Sequence, residues 1–141
     1  MTNREPWLEW IRIDDIHTLY SEGIKRKGGT GSPSRDGCVD GSLGAAYNAE
    51  VYSMPEIDGE QSVSGLIFCG YLFFYLITNH CWVDGNKRVA WESMTWVLLK
   101  LGLTLEVSDD EAEQFCLSLA SGKLKSADDV VNWIADRLIA I

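Results

Sequence analysis

The sequence predicts an all-α fold: a single domain, residues 1–141, of about six helices around one buried central helix. Three observations carry this. Val63 to Ile77 is almost wholly apolar, as expected of a helix enclosed by others. The flanking stretches repeat apolar residues at helical spacing. Strand-like alternation is confined to Leu103-Thr104-Leu105-Glu106-Val107, which stands isolated.

Length and composition agree. The chain has 141 residues, 46% hydrophobic and 23% charged, ordinary for one globular domain. That size allows roughly two-thirds of the unfolded surface to be buried without staples. Whole-chain disorder and a disulfide miniprotein are excluded. The formal net charge is −9, so non-specific binding to nucleic acid or anionic membrane is not expected. A local basic site stays open. Cys38, Cys69, Cys81 and Cys116 form no CxxC pair and no metal-ligand spacing. They suit free thiols in a reducing compartment, although an even count leaves bridges open. The N-terminal residues show no apolar run after Arg4, which fits a cytoplasmic protein.

The elements follow in order. Asp14-Asp15 opens a helix with Ile16, Leu19, Tyr20 and Ile24 on one face, and Lys25-Arg26-Lys27 closes it. Acidic start and basic end suit the helix dipole. Gly28-Gly29-Thr30-Gly31-Ser32-Pro33 breaks the helix. A shorter helix runs from about Val39 to Tyr47, and Ser53–Gln61 reads as a loop or flap. The core helix spans Ser62 to Asn79. Its apolar run is too short for a membrane span and is broken by Ser64, Gly65 and Gly70. The next helix, Asn86 to Leu101, turns Ala90, Met94, Val97, Leu98 and Leu101 inward. Ser108-Asp109-Asp110-Glu111 is a capping signature for a helix ending near Gly122. Ser126 caps a last helix carrying Val130, Trp133, Ile134, Arg137 and Leu138. Trp91, Trp96 and Trp133 read as core aromatics, and Trp7 and Trp10 as packing for the end of the chain.

The chemistry concentrates in His80-Cys81-Trp82-Val83-Asp84-Gly85-Asn86-Lys87-Arg88, between the core helix and the next. Gly85 and Asn86 favour a tight turn and a helix start. The free N–H groups of such a start cradle anions. Lys87 and Arg88 oppose the dipole there, so they make sense if an anion, such as a phosphate chain, occupies the turn. His80 offers a base and Asp84 a hard oxygen ligand for magnesium. Singly, each has an ordinary explanation: helix cap, turn residue or solvated charge. Their concentration in nine residues argues for one site.

His80-x-Trp82-x-Asp84-Gly85-Asn86-Lys87-Arg88 resembles the signature of the Fic/Doc family, His-x-Phe-x-Asp/Glu-Gly/Ala-Asn-x-Arg. Gly28-Gly29, Arg35-Asp36-Gly37 and Leu43 upstream, and Leu101-Gly102 and Ser121-Gly122-Lys123 downstream, are similar to the Doc (death-on-curing) toxin branch. Members that transfer AMP usually carry Gly between Asn and Arg, and a second Arg three residues later; here Lys87 and Trp91 stand there. The resemblance implies a toxin of a toxin–antitoxin pair, an ATP-dependent protein kinase that phosphorylates elongation factor Tu or a similar translation factor. It implies His80 as general base and Asp84 as magnesium (Mg2+) and substrate ligand. The Gly85 amide, Asn86, Lys87 and Arg88 would bind ATP phosphates, and Trp82 would be a buried anchor. The flap would lie where the family positions its target peptide, and a cognate antitoxin would be the partner. Trp82 for Phe, Cys81 and Val89 depart from the usual pattern. Thr18-x-x-x-Glu22-Gly23 fits the inhibitory motif of some AMP-transferring members, but the pattern is loose and falls in the first helix. The alternatives are an AMP transferase and a catalytically silent binding module; His80 argues against the latter and Lys87 against the former.

Overall fold

The structure is a computed structural model that describes residues 7–53 and 65–141. After a single helical turn, α1 (Trp7–Trp10), come α2 (Ile13–Arg26), α3 (Cys38–Ser53) and α4 (Leu66–Thr78). They are followed by α5 (Asn86–Lys100), β1 (Leu103–Leu105), α6 (Asp109–Ala120), α7 (Ala127–Ala135) and β2 (Leu138–Ala140). The all-α expectation holds, with six helices longer than one turn among the described residues.

α4 is apolar nearly all round, and seven of its thirteen residues are buried. It packs against α3, α5, α6 and α7, and Phe68, Leu72, Phe73, Leu76 and Ile77 are fully buried. Gly70 lets α7 come close: a Cβ there would lie 2.4 Å from Val131 Cγ2 and 3.1 Å from its backbone. The first orphan N–H groups of α4 are met by Glu50 of α3, whose Oε1 accepts from Phe68 N (2.9 Å) and Oε2 from Gly65 N (3.2 Å). A buried carboxylate is favourable at the positive end of a helix. Glu50 lies beyond the end expected for α3 at Tyr47. The segment expected to form the flap lies outside the described residues, apart from Ser53 at the end of α3.

At the start of α2 the Asp15 carboxylate reaches back to the N-cap, Arg12 N donating to Asp15 Oδ2 at 2.9 Å. Ser108 and Ser126 cap α6 and α7 as expected, their Oγ atoms accepting from Glu111 N and Asp129 N, each at 3.1 Å. Phe73, Phe115 and Trp133 stack in a column, with centroid separations of 5.4 and 3.8 Å. The Arg137 guanidinium covers its outer end, 4.1 Å from the Trp133 ring.

Two expectations need correction. The segment after α5 is not isolated: β1 pairs antiparallel with β2, Thr104 opposite Ile139. The last helix stops at Ala135, so Arg137 and Leu138 are not helical. Arg137 turns back onto Trp133 and bonds Glu111 (Nε to Oε2, 3.1 Å), and this reversal brings the end of the chain beside β1. Four residues, Leu138-Ile139-Ala140-Ile141, are too few for periodicity to separate strand from helix.

The cysteines also correct the sequence reading. Cys38 and Cys81 form a disulfide across 43 residues, whereas Cys69 and Cys116 are buried free thiols. Spacing alone could not fix this pairing. The bridge ties the start of α3 to the loop after α4. Closing a loop of that length restricts the unfolded chain, so Cys38→Ser is expected to lower stability by about 2–4 kcal/mol. Denaturant unfolding with and without dithiothreitol checks this. Reductant should destabilise the wild type and leave Cys38→Ser unmoved; an unchanged wild-type transition would show that the bridge contributes nothing.

Candidate active site

The loop from Asn79 to Gly85 leaves α4 at its exposed C-terminal end and enters α5. Its conformation is fixed from three sides. Asn86, the first residue of α5, is buried, and its side chain reaches back to the loop: Oδ1 accepts from Trp82 N (3.1 Å) and Nδ2 donates to Trp82 O (2.8 Å). Trp82 itself is buried, stacked on Tyr20 at 4.3 Å with His17 edge-on at 5.6 Å. Arg35 closes the other end. Its backbone N–H donates to Cys81 O (2.9 Å), Nε donates to His80 O (3.3 Å), and Nη2 donates to Asn79 O. A guanidinium on the last carbonyls of α4 also suits the negative end of that helix. The Cys38–Cys81 bridge adds a covalent tie in the same place.

Within this frame His80 is exposed and takes a left-handed conformation, φ 48°. That is uncommon for a residue with a Cβ and turns the chain sharply out of α4. Gly85 is left-handed at φ 79° as the N-cap of α5, and a side chain there would press on Tyr20 and Ile24 at 3.2–3.3 Å.

Asp84, Gly85, Lys87 and Arg88 line one cleft of about 720 Å³ between α2, α5 and α6, within the range of small-molecule sites. Two expected site residues are not among its lining. His80 lies outside, on the exposed part of the loop. The Asn86 side chain is occupied by the Trp82 backbone, so Asn86 shapes the cradle from beneath. Trp82 is the buried anchor that was expected. Arg88 lies across α2 where Gly23 makes room: a Cβ at residue 23 would sit 2.7 Å from Arg88 Cδ. Gly23 of the Thr18-x-x-x-Glu22-Gly23 pattern therefore has a packing role, and Glu22 is exposed.

The cleft also recruits residues that the sequence reading did not assign. Lys27, the C-cap of α2, adds a third cation to Lys87 and Arg88. Glu92 joins α5 to α2 through Arg26 (Oε2 to Nη2, 2.6 Å). Ala112, Glu113, Cys116 and Leu117 form the α6 wall. Only the tertiary fold brings α6 here, so no local motif announced it. Burial pushes the Cys116 thiol up to about 11; Lys87 acts against the shift and Glu113 with it. The thiol is therefore neutral at ordinary pH, and the cleft holds no thiolate nucleophile in Cys116. Among the described residues no group of three or more His, Cys, Asp or Glu could hold a metal by itself. Asp84 as a single hard oxygen beside phosphate-binding cations nevertheless fits magnesium, which takes one or two carboxylates together with substrate phosphates.

The helical domain thus runs from its central helix through a pinned loop, with an exposed histidine, into a helix start that carries two cations. The chain matches the family model for the Fic/DOC family over residues 10–98, more than half its length, and belongs to that family. The match spans α2 to α5, the whole motif loop included. Membership places it among transferases that act on proteins with nucleotide substrates. No curated protein and no solved structure matches it.

Asn86→Ala would strand the buried N–H and C=O of Trp82. We expect a loss of about 1–3 kcal/mol in folding stability and faster amide exchange in residues 80–85. Hydrogen exchange and denaturant unfolding report both, and an unchanged exchange pattern would show that the Asn86 clamp does not set the loop.

Proposed function

We propose that the protein is a Doc-like toxin, an ATP-dependent kinase that phosphorylates a hydroxyl of a translation factor and is restrained by a cognate antitoxin. The observation that carries this reading is the position of Lys87. It stands where AMP-transferring members have Gly, and its side chain lines the cleft at the first turn of α5. It occupies room that Gly would leave open. Trp91, where those members have a second Arg, lines the same cleft. A nucleotide seated here would turn its γ-phosphate, not its α-phosphate, towards the loop that carries His80.

The roles follow from placement. His80 takes the proton from the target hydroxyl, whose oxygen attacks the γ-phosphorus. The bond from that phosphorus to the β–γ bridging oxygen breaks, and ADP leaves. Lys87, Arg88 and the free N–H groups of the α5 start hold the phosphates and stabilise the charge that develops on them. Asp84 would hold magnesium, which supplies further neutralisation of phosphate charge when bound. The exposed setting of His80 suits a base that must reach another protein.

Incubating the protein and a cell extract with ATP labelled separately at the α- and γ-phosphates tests the reading. Label should pass from the γ-position to a protein hydroxyl, and His80→Ala should abolish transfer while keeping the fold. Transfer of α-label with release of pyrophosphate would instead make the protein an AMP transferase. A second expectation concerns Arg88, which ligand binding explains better than folding. Arg88→Ala should weaken ATP binding by about 1.5–3 kcal/mol and change folding stability by less than about 1 kcal/mol. Calorimetry and thermal melting separate the two, and an unfolded variant whose folded fraction binds ATP normally would make Arg88 structural.

A further inference from the structure

The turn that carries His80 is held by a covalent and a polar tie, and the two meet at Cys38. Cys81, the residue after His80, is wholly buried and bonded through sulfur to Cys38 at the start of α3. The polar tie is Arg35. Its Nε donates to His80 O at 3.3 Å and its Nη2 to Asn79 O, and the same Nη2 lies 3.5 Å from Cys38 Sγ. His80 sits at φ 48°, a sparsely populated region that surrounding contacts must hold. The two bridged sulfurs differ in access: Cys81 is enclosed, and Cys38 is only partly buried. The remaining cysteines do not compete in exchange. Cys69 and Cys116 are buried free thiols, and burial pushes both above the usual thiol range. Neither offers a thiolate at ordinary pH.

We infer that the Cys38–Cys81 bridge is a redox-controlled clamp: oxidised, it fixes the His80 turn for chemistry, and opening by a dithiol reductant releases that turn. A thiolate of the reductant attacks Cys38 Sγ, the accessible sulfur. The S–S bond breaks, and Cys81 departs as a thiolate and takes up a proton. The second thiol of the reductant attacks its own sulfur in the mixed disulfide, and Cys38 departs. The reductant ends as a disulfide, having lost two electrons, and its two protons go to Cys81 and to water. Cys38 now lies beside Arg35, which favours its thiolate. That thiolate draws the guanidinium away from Asn79 O and His80 O. Opening the bridge thus loosens both ties in one event. The start of α5 is clamped separately, by Asn86 on Trp82, so nucleotide binding is nearly unaffected. The consequence for catalysis rests on His80 as the base of the proposed transfer; the consequence for the turn does not.

The test compares the full chain oxidised, after dithiothreitol, after re-oxidation, and as Cys38→Ser. Alkylation after denaturation should count two thiols in the oxidised chain and four once dithiothreitol has acted on the folded protein. Opening should speed amide exchange in residues 79–83 about tenfold or more and leave amides inside α4 and α5 within about twofold. It should lower kcat for γ-phosphate transfer about ten- to a hundredfold, the effect of a misplaced reacting group, with KM for ATP within about twofold. Re-oxidation should restore both, and Cys38→Ser should match the reduced chain with or without dithiothreitol. The clamp is overturned if the bridge stays closed in the folded protein, if residues 79–83 do not respond, or if exchange rises equally throughout the chain. A loosened turn with transfer unchanged or raised overturns it too, while the kinase reading stands. If the oxidised chain transfers no phosphate, the kinase reading fails, and the exchange result alone decides for or against the clamp.

Discussion

The constraint on which the rest depends is the burial of the inner side of α4, where Phe68, Leu72, Phe73, Leu76 and Ile77 are closed off from solvent. α3, α5, α6 and α7 enclose that side. Burial also removes water from the N-terminal end of α4, so the orphan N–H groups there need a protein partner. Glu50 meets the N-terminal groups, and Arg35 meets the carbonyls of Asn79 and His80. The second of these closures is what positions the site. The Arg35 guanidinium, bonded to the carbonyls just past α4, holds His80 at the start of the loop, and Asn86 holds the loop's other end through Trp82. The candidate site thus lies on a segment held at both ends.

How much of this was legible follows from the range of each signal. Periodicity and caps are local, so α2, α5 and the serine-capped starts of α6 and α7 could be read from short windows. The nine-residue motif is local as well, and it brought Asp84, Gly85, Lys87 and Arg88 to notice before any fold was known. What escaped was set by contacts distant in sequence. The Cys38–Cys81 bridge spans 43 residues. β1 finds its partner at the other end of the chain's C-terminal half, after Arg137 reverses direction on Trp133. The α6 wall of the cleft enters from outside the motif altogether. Asn86 was ambiguous for a different reason: its type suits a phosphate contact and a turn clamp equally, and only geometry shows that both ends of its amide are engaged with Trp82.

The charge distribution brings these levels together. The chain carries a net charge of −9, yet one cleft gathers Lys27, Lys87 and Arg88. Lys27 ends a helix, where the dipole welcomes it; Lys87 and Arg88 begin one, where the dipole does not. Gly23 gives up helix propensity in the interior of α2 and leaves Arg88 room to cross that helix. Two local conflicts thus coincide at one place, a cation at the wrong end of α5 and a glycine in the middle of α2. Sequences that fold well are locally consistent except where function demands otherwise, and the anionic ligand proposed for the cleft would account for both conflicts.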